Sequence, residues 1–316
     1  MRGIRACCLA CLLALVLAGC GPARSAPLAY ADAPVLARGA LPDFSHVMIV
    51  MMENLSYRQA MTVPALASLA QRYASASMYF GVSHPSLPNY LAITSGSTWG
   101  ISSDCWFCYV QAPNLGAQVS ASGIPWAAYM QGLPSNCWLG PFWLPSGYAG
   151  KHDPFRYYRD IRGNPALCGH IRPLGTLEAS LSRGTGLPRL MWVTPNICDD
   201  GHNCPATVAA NWLVGFVSQV VSSPAWQHGG VLLVTWDEAT GGDDRGVDAQ
   251  GQITPQGGGG HVLTLVIAPD LPRGLTVSVP YNHYSILRTV EQAWGLPALG
   301  QAGASGTASL SAFWTH

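Results

Sequence analysis

The chain has 316 residues, its 16 Lys plus Arg balance its 16 Asp plus Glu, and only 10% of it is charged. A neutral chain with no basic stripe argues against nucleic acid as a partner. With 49% hydrophobic residues it can bury the core of a large folded domain, which excludes a disordered or purely solvating role.

Arg2 and Arg5 precede an apolar run, 6–18, that is too short to cross a bilayer. The run ends in Leu17-Ala18-Gly19-Cys20, which resembles a bacterial lipobox, where the signal is removed before a cysteine that is then lipidated. The expected organisation is a signal peptide over 1–19, an Ala/Pro/Gly-rich tether over 20–42 and a single domain over 43–316. The expected place is the cell envelope, with the membrane reached through lipidated Cys20 of a monomer; an ordinary signal peptide cut later, giving a secreted protein, is the alternative. Six cysteines lie beyond this region, an even number that suits an oxidising compartment. Of fifteen connectivities, neighbourhood favours Cys105–Cys108, Cys137–Cys168 and Cys198–Cys204.

Beyond the tether, 46–52 is a continuous apolar run and reads as a buried strand. Residues 64–73 read as a helix and 77–82 as a short strand. Pro88 suits the first turn of a helix, where backbone N–H groups are unpaired anyway, so Ser86 is the expected N-cap of a helix that runs to Gly96. Helices are expected over 113–122, 175–183, 206–222 and 284–294, the last stopped by Gly295 and Pro297. Strands are expected over 125–130, 189–194, 231–236 and 261–268, with irregular chain from about 133 to 172. Residues 240–260 are Gly-rich and read as a mobile lid rather than a calcium loop. Strands alternating with helices predict an α/β fold, a largely parallel sheet covered on both faces.

Ligands of such sheets sit at the carboxyl ends of the strands. Those ends carry Glu53-Asn54, Asp237-Glu238 and, beyond Thr194, Asp199, Asp200 and His202; Ser86 also follows a strand. Glu53 and Asp237 each follow an apolar run without a local charge partner, whereas Asp199 has a ready alternative as the cap of a turn. Carboxylates gathered at one rim repel unless a cation compensates, and a divalent metal ion is the usual one. Such an ion also helps to activate a serine hydroxyl, which alone is scarcely ionised at neutral pH. Arg288 and Glu291, three apart on a helix, are expected to pair at the surface. His283 reads as structural, and His261 either as a ligand or as a strand-end histidine. The tryptophans of the irregular region, Trp106, Trp138 and Trp143, could wall a substrate site.

Six blocks in this order, namely Met52-Glu53-Asn54, Ser86-Leu87-Pro88-Asn89, Lys151 to Phe155, Asn196 to Cys204, Thr235 to Glu238 and His283 to Glu291, resemble the bacterial phosphoesterase family. That family holds acid phosphatases and phosphatidylcholine-type phospholipases C within the alkaline-phosphatase-like superfamily. The resemblance covers about residues 45 to 300. It implies an alkaline-phosphatase-like fold in which Ser86 is a nucleophile that becomes phosphorylated, with His152 and His202 assisting. It further implies His152 as a phosphate-facing group and Glu53, Asn54, Asp237 and Glu238 as metal ligands; Asn54 and Asn89 join the expected phosphate-binding groups, and Asp200 and His261 join the expected pool of metal ligands. Glu238 stands where the superfamily often has a histidine, so one tightly held divalent ion is expected rather than two. The expected substrate is a small phosphorylated molecule or a phospholipid headgroup, hydrolysed as a monoester; a phospholipase C-type diesterase is the alternative. A serine esterase lacks its Gly-x-Ser-x-Gly elbow here, and a non-enzymatic surface lipoprotein leaves the clustered acids unexplained.

Overall fold

A computed structural model describes residues 34–224 and 226–315, so the expected signal segment and Cys20 lie outside the described residues. The spine is β1 (His46–Met52), whose residues beyond His46 are all buried, as a strand covered on both faces requires. Seven more strands complete the main sheet: β2 (Ala74–Ala76), β3 (Trp126–Met130), β4 (Ile171–Pro173), β5 (Leu190–Thr194), β6 (Gly230–Trp236), β7 (Thr264–Ile267) and β8 (Thr276–Val277). Their order is β8-β2-β7-β6-β1-β5-β3-β4. β1 pairs in parallel with β5, with Val47 opposite Leu190, and with β6, with Val47 opposite Val231. Only β7 runs against its neighbours β6 and β2, so the sheet is largely parallel as expected.

Helices Pro64–Arg72, Gly175–Arg183 and Ala206–Ser222 pack together in one layer, and Ser86–Ser95, Leu115–Ala121 and His283–Trp294 in the other. The expected strand over 77–82 is instead the pair of short strands Ala74–Ala76 and Tyr79–Phe80. The described part of the expected tether does not dangle. Val35 bridges Pro297, the Ala298 amide donates to the Pro34 carbonyl at 3.0 Å, and Leu41 is buried. All three expected disulfides are present, and each closes a local loop.

The expected surface pair Arg288–Glu291 does not form, because that face of the helix turns into the protein. Arg288 donates to the carbonyls of Ala302 (2.8 Å) and Ala304 (2.9 Å). Glu291 is fully buried; one carboxyl oxygen accepts the Leu299 amide at 2.9 Å and the other has no partner. Burial pushes its carboxyl well above the usual carboxylate range. A raised folded pKa means that the penalty for holding this group is absent below the unfolded value and grows as pH rises towards the folded one. Glu291→Gln keeps an acceptor for Leu299 and removes the charge. It should therefore stabilise the fold by roughly 1–2 kcal/mol at pH 8 and by little at pH 4. Paired melting curves across that range test this, and a difference independent of pH would refute it.

Candidate active site

The ends of β1, β5 and β6 are stitched together by the backbone itself. The Glu53 amide donates to the Asp200 carbonyl and the Asp237 amide to the Met52 carbonyl, both at 3.0 Å. Asn54 turns the chain away with φ at 43°, a left-handed conformation that a short amide side chain tolerates. Its amide N–H donates to Asp237 Oδ1 at 2.9 Å and its side chain to Glu53 Oε2 at 3.0 Å. His283, buried at the start of its helix, contacts the Asp237 carbonyl through Nε2 at 2.6 Å and the Tyr79 hydroxyl through Nδ1 at 3.2 Å. Burial lowers its pKa to about 4, so a neutral ring holds Asp237 from behind, the structural part expected of it.

Ser86 is not the N-cap. Pro85 occupies that place without a side-chain cap bond, and Ser86 is the first helical residue. The helix begins one residue earlier than expected, which puts Pro88 at the third helical position rather than the second; its missing N–H is still one of the unpaired four there. The buried Ser86 hydroxyl is thus free of capping and donates to Glu53 Oε2 at 3.1 Å, with Glu238 Oε1 at 3.4 Å as a second acceptor. Asn89, expected to bind phosphate, is spent on the loop before the helix. Its Oδ1 accepts the amides of Val82 and Ser83, and its Nδ2 donates to the carbonyls of Ser83 and Pro85. It shapes the turn that presents Ser86.

Around this hydroxyl lie Glu53, Asp200, Asp237 and Glu238, all buried. Burial, then Asp237 and Asp200, push the Glu53 carboxyl well up. Burial and Glu238 raise Asp237 to about 7, and burial raises Asp200 to about 7. Tyr90 donates its hydroxyl to Glu53 Oε1 at 2.7 Å. His152 lies flat against the Tyr90 ring, with Nδ1 at 2.9 Å from Asp200 Oδ2 and Nε2 at 3.0 Å from Glu53 Oε1. Burial holds its pKa well down, and the Asp200 contact assigns the proton to Nδ1. Nε2 then turns a lone pair towards a carboxylate, and it has no hydrogen-bond partner; nor has Asp237 Oδ2. Two orphaned buried acceptors beside crowded acids are what a cation would satisfy. Glu53, His152 and His202 each bring a ligand atom, all within 4.8 Å of one another, so this trio could hold a metal ion.

His202 rides on the loop closed by Cys198–Cys204 and is exposed. Its backbone amide donates to Asp200 Oδ1 at 2.8 Å, and its Nδ1 faces Asn203 Oδ1 at 2.6 Å. Asp199 binds Gln131 and Asn196 and shapes that loop, its plainer reading. His261 is not brought to the cluster. It stacks on Tyr57 and Phe80, and its Nε2 meets the Ser77 carbonyl at 2.9 Å. The stacking rings and the carbonyl at the strand edge take the place that a metal would need.

Sequence reasoning passed over four groups here. Tyr90 is one. His84 pairs with Glu238 and, through Nε2, with the Asp243 carbonyl at 3.1 Å; the hydrogen bond to Glu238 raises its pKa to about 9. Asp104 accepts the Leu87 amide at 2.9 Å and Lys151 Nζ at 2.7 Å, and that Nζ also lies 3.0 Å from His202 Nε2. Lys151 was visible as the only lysine of the chain, and its place beside His152 was the available signal.

The sheet order and the placing of the site at its carboxyl edge define an α/β scaffold of the alkaline phosphatase kind. A Vibrio parahaemolyticus protein in the alkaline phosphatase superfamily superposes with a TM-score of 0.52 at 10% identity, over 88% of this chain and 75% of that one. The murine ectonucleotide pyrophosphatase/phosphodiesterase 5 does so with a TM-score of 0.51 at 11% identity, over 81% and 96%. Residues 52–297 match the model of the Phosphoesterase family, and the chain belongs to that family. Among curated relatives, a phosphatidylinositol-3-phosphatase of Mycobacterium tuberculosis is 31% identical over 84% of this chain and 82% of its own length. A phosphate-repressible acid phosphatase of Penicillium chrysogenum is 28% identical over 82% of this chain, which spans only 61% of that protein. Phospholipase C A of M. tuberculosis is 29% identical over 56% of this chain and 38% of its own length. Among the described residues no helix is long and apolar enough to cross a membrane.

Proposed function

We propose that the protein is an exported, metal-assisted phosphate monoester hydrolase that works through a phosphoserine on Ser86. The observation that carries this reading is the Ser86 hydroxyl, buried, released from capping, and faced by Glu53 and Glu238 at the start of a helix. Ser86 Oγ attacks phosphorus as the bond from phosphorus to the leaving oxygen breaks. The hydroxyl proton passes to Glu238, or to Glu53 once that carboxyl has lost its own proton, and the departing oxygen takes up a proton from water. The positive end of the Ser86 helix and the second N–H of the Asn54 side chain, whose first donates to Glu53, are available to the growing negative charge. Water then removes the phosphoryl group from Ser86. Glu53, His152 and His202 would hold a divalent ion, with Asp237 Oδ2 beside them. When bound, such an ion offsets the carboxylate charge and acts as a Lewis acid on phosphoryl oxygen. His152 is too enclosed to reach a leaving group and serves by holding rather than by proton transfer. Three disulfides support export, since such bonds persist in oxidising compartments.

The relatives named for acid phosphatase and phosphatidylinositol phosphatase activity support a monoester, carried by a small molecule or by a phospholipid headgroup. A specific feature favours the second reading, a phospholipase C-type diesterase. Trp106, Phe107, Trp143 and Leu144 are exposed on the segments flanking Asp104 and Lys151, where an apolar substrate portion could rest. The test is hydrolysis of a chromogenic phosphomonoester against the matching diester and phosphorylcholine ester, with and without chelator. The monoester should be turned over at least about tenfold faster than either, in a chelator-sensitive way. Preference for the phosphorylcholine ester would transfer the protein to the second reading.

A further inference from the structure

Lys151 is the only lysine in the chain, and its side chain is 11% exposed at the edge of the site. Surface lysines keep their ammonium in water, so this placement asks for a reason. The Asp104 carboxylate supplies the anchor. It holds Lys151 Nζ at 2.7 Å with one oxygen and the Leu87 amide, in the first turn of the Ser86 helix, with the other at 2.9 Å. The ammonium is thereby tied to the helix start that carries Ser86. Its second neighbour is His202 Nε2 at 3.0 Å. With Nδ1 of that ring facing the Asn203 side-chain oxygen, Nε2 presents a lone pair, which Lys151 occupies. The same ring belongs to the trio with Glu53 and His152. Lys151 therefore sits where positive charge meets the site, and a hydrogen bond to a ring nitrogen is one that an ammonium readily exchanges for an anionic oxygen. His84, the other cation beside the acids, is engaged by Glu238 and by the Asp243 carbonyl.

Resting on the phosphomonoesterase reading above, we propose that Lys151 is a specificity-determining residue. Its ammonium, aimed by Asp104, leaves His202 to bind a non-bridging phosphoryl oxygen and selects the dianionic monoester over the monoanionic diester. A phosphomonoester has a second pKa near 6 and carries nearly two charges at neutral pH, whereas a diester carries one. A fixed ammonium gains most from the oxygen that a diester has covered with a second substituent. Asp104 acts through Lys151 as a positioning residue.

The experiment compares Lys151→Met and Lys151→Arg with the native chain on the paired monoester and diester, and measures binding of inorganic phosphate at pH 8 by calorimetry. Lys151→Met should lower monoester kcat/KM by about 30-fold, close to 2 kcal/mol at 1.4 kcal/mol per tenfold. It should change the diester by less than about threefold and weaken phosphate binding by about tenfold. Lys151→Arg should recover most of the monoester preference, which a merely structural role would not distinguish from the diester rate. Equal losses on both substrates in a protein with native melting behaviour would overturn the proposal. So would an unchanged ratio with unchanged phosphate affinity. If Lys151→Met does not fold, Lys151→Arg with an Asp104→Asn companion reads the same ratio: Asp104→Asn should lower it and Lys151→Arg should not, and any other pattern counts against the proposal. Should the native chain show no phosphomonoesterase activity at all, the earlier reading fails on that measurement alone, before any variant is compared.

Discussion

Ser86→Ala should reduce turnover of a phosphomonoester by at least about 10⁴-fold, because the group that accepts the phosphoryl is gone and nothing else at that point can carry it. Stability should move in a different way. Ser86 does not cap its helix, so the usual penalty of about 0.5–2 kcal/mol for losing a cap does not apply. What is lost is one hydroxyl shared by two buried carboxylates, Glu53 and Glu238. Glu53 keeps the Tyr90 hydroxyl and the Asn54 amide, and Glu238 keeps His84. The melting temperature should therefore shift by no more than a few degrees. Rapid quenching of the native enzyme with labelled substrate should place label on the peptide that contains Ser86. A folded Ser86→Ala protein with near-native turnover would remove the nucleophile, and with it the phosphoserine route.

The sheet was legible because burial on both faces writes itself as unbroken apolar runs, such as those ending at Met52 and Trp236. Glu53 and Asp237 were legible for a related reason: an acid directly after such a run has no local partner, so its partner must come from the fold. The misreadings share a different origin. A proline marks the first turn of a helix without saying which residue of it, and a single position separates a capping Ser86 from a free one. Asn89 belongs to a motif next to the site, yet all its polar capacity is used within seven residues by the turn it closes. His261 follows four glycines and could have pointed anywhere; Tyr57 and Phe80, distant in sequence, decide where it goes. Asp104, Lys151 and His84 were hidden because their partners lie 17 to 159 residues away across loops. No periodicity encodes such contacts. Glu291 shows the same limit in the core, where a spacing that suits a surface pair on a lone helix was overridden by the segment around Leu299 packing over it.

Chelation should have the second large effect, on rate and on stability together. Dialysis against a strong chelator should lower turnover by at least about 100-fold, and a divalent ion should restore it. A ligand present at 1,000 times its dissociation constant stabilises a fold by about 4 kcal/mol, so the chelated protein should also melt at a lower temperature. The pH dependence of that gap follows from the acids. Without a cation, burial first and then Glu238 hold Asp237 near 7, and burial holds Asp200 near 7, against 3.8 for a free aspartate. Folded pKa values raised in this way mean that the cation-free protein loses stability as pH climbs from about 4 through 7. A bound cation removes that loss, and binding itself needs the carboxylates deprotonated. The difference in melting temperature between loaded and chelated protein should thus be small at pH 5 and large at pH 8. Glu53→Gln should shrink it, because Glu53 belongs to the trio with His152 and His202. Asp199→Asn should leave it in place, since Asp199 is bound to Gln131 and Asn196 in the neighbouring loop. Turnover and melting both indifferent to chelator would mean that His152 Nε2 and Asp237 Oδ2 are satisfied by something other than a metal, and the cluster would then have to work by its protons alone.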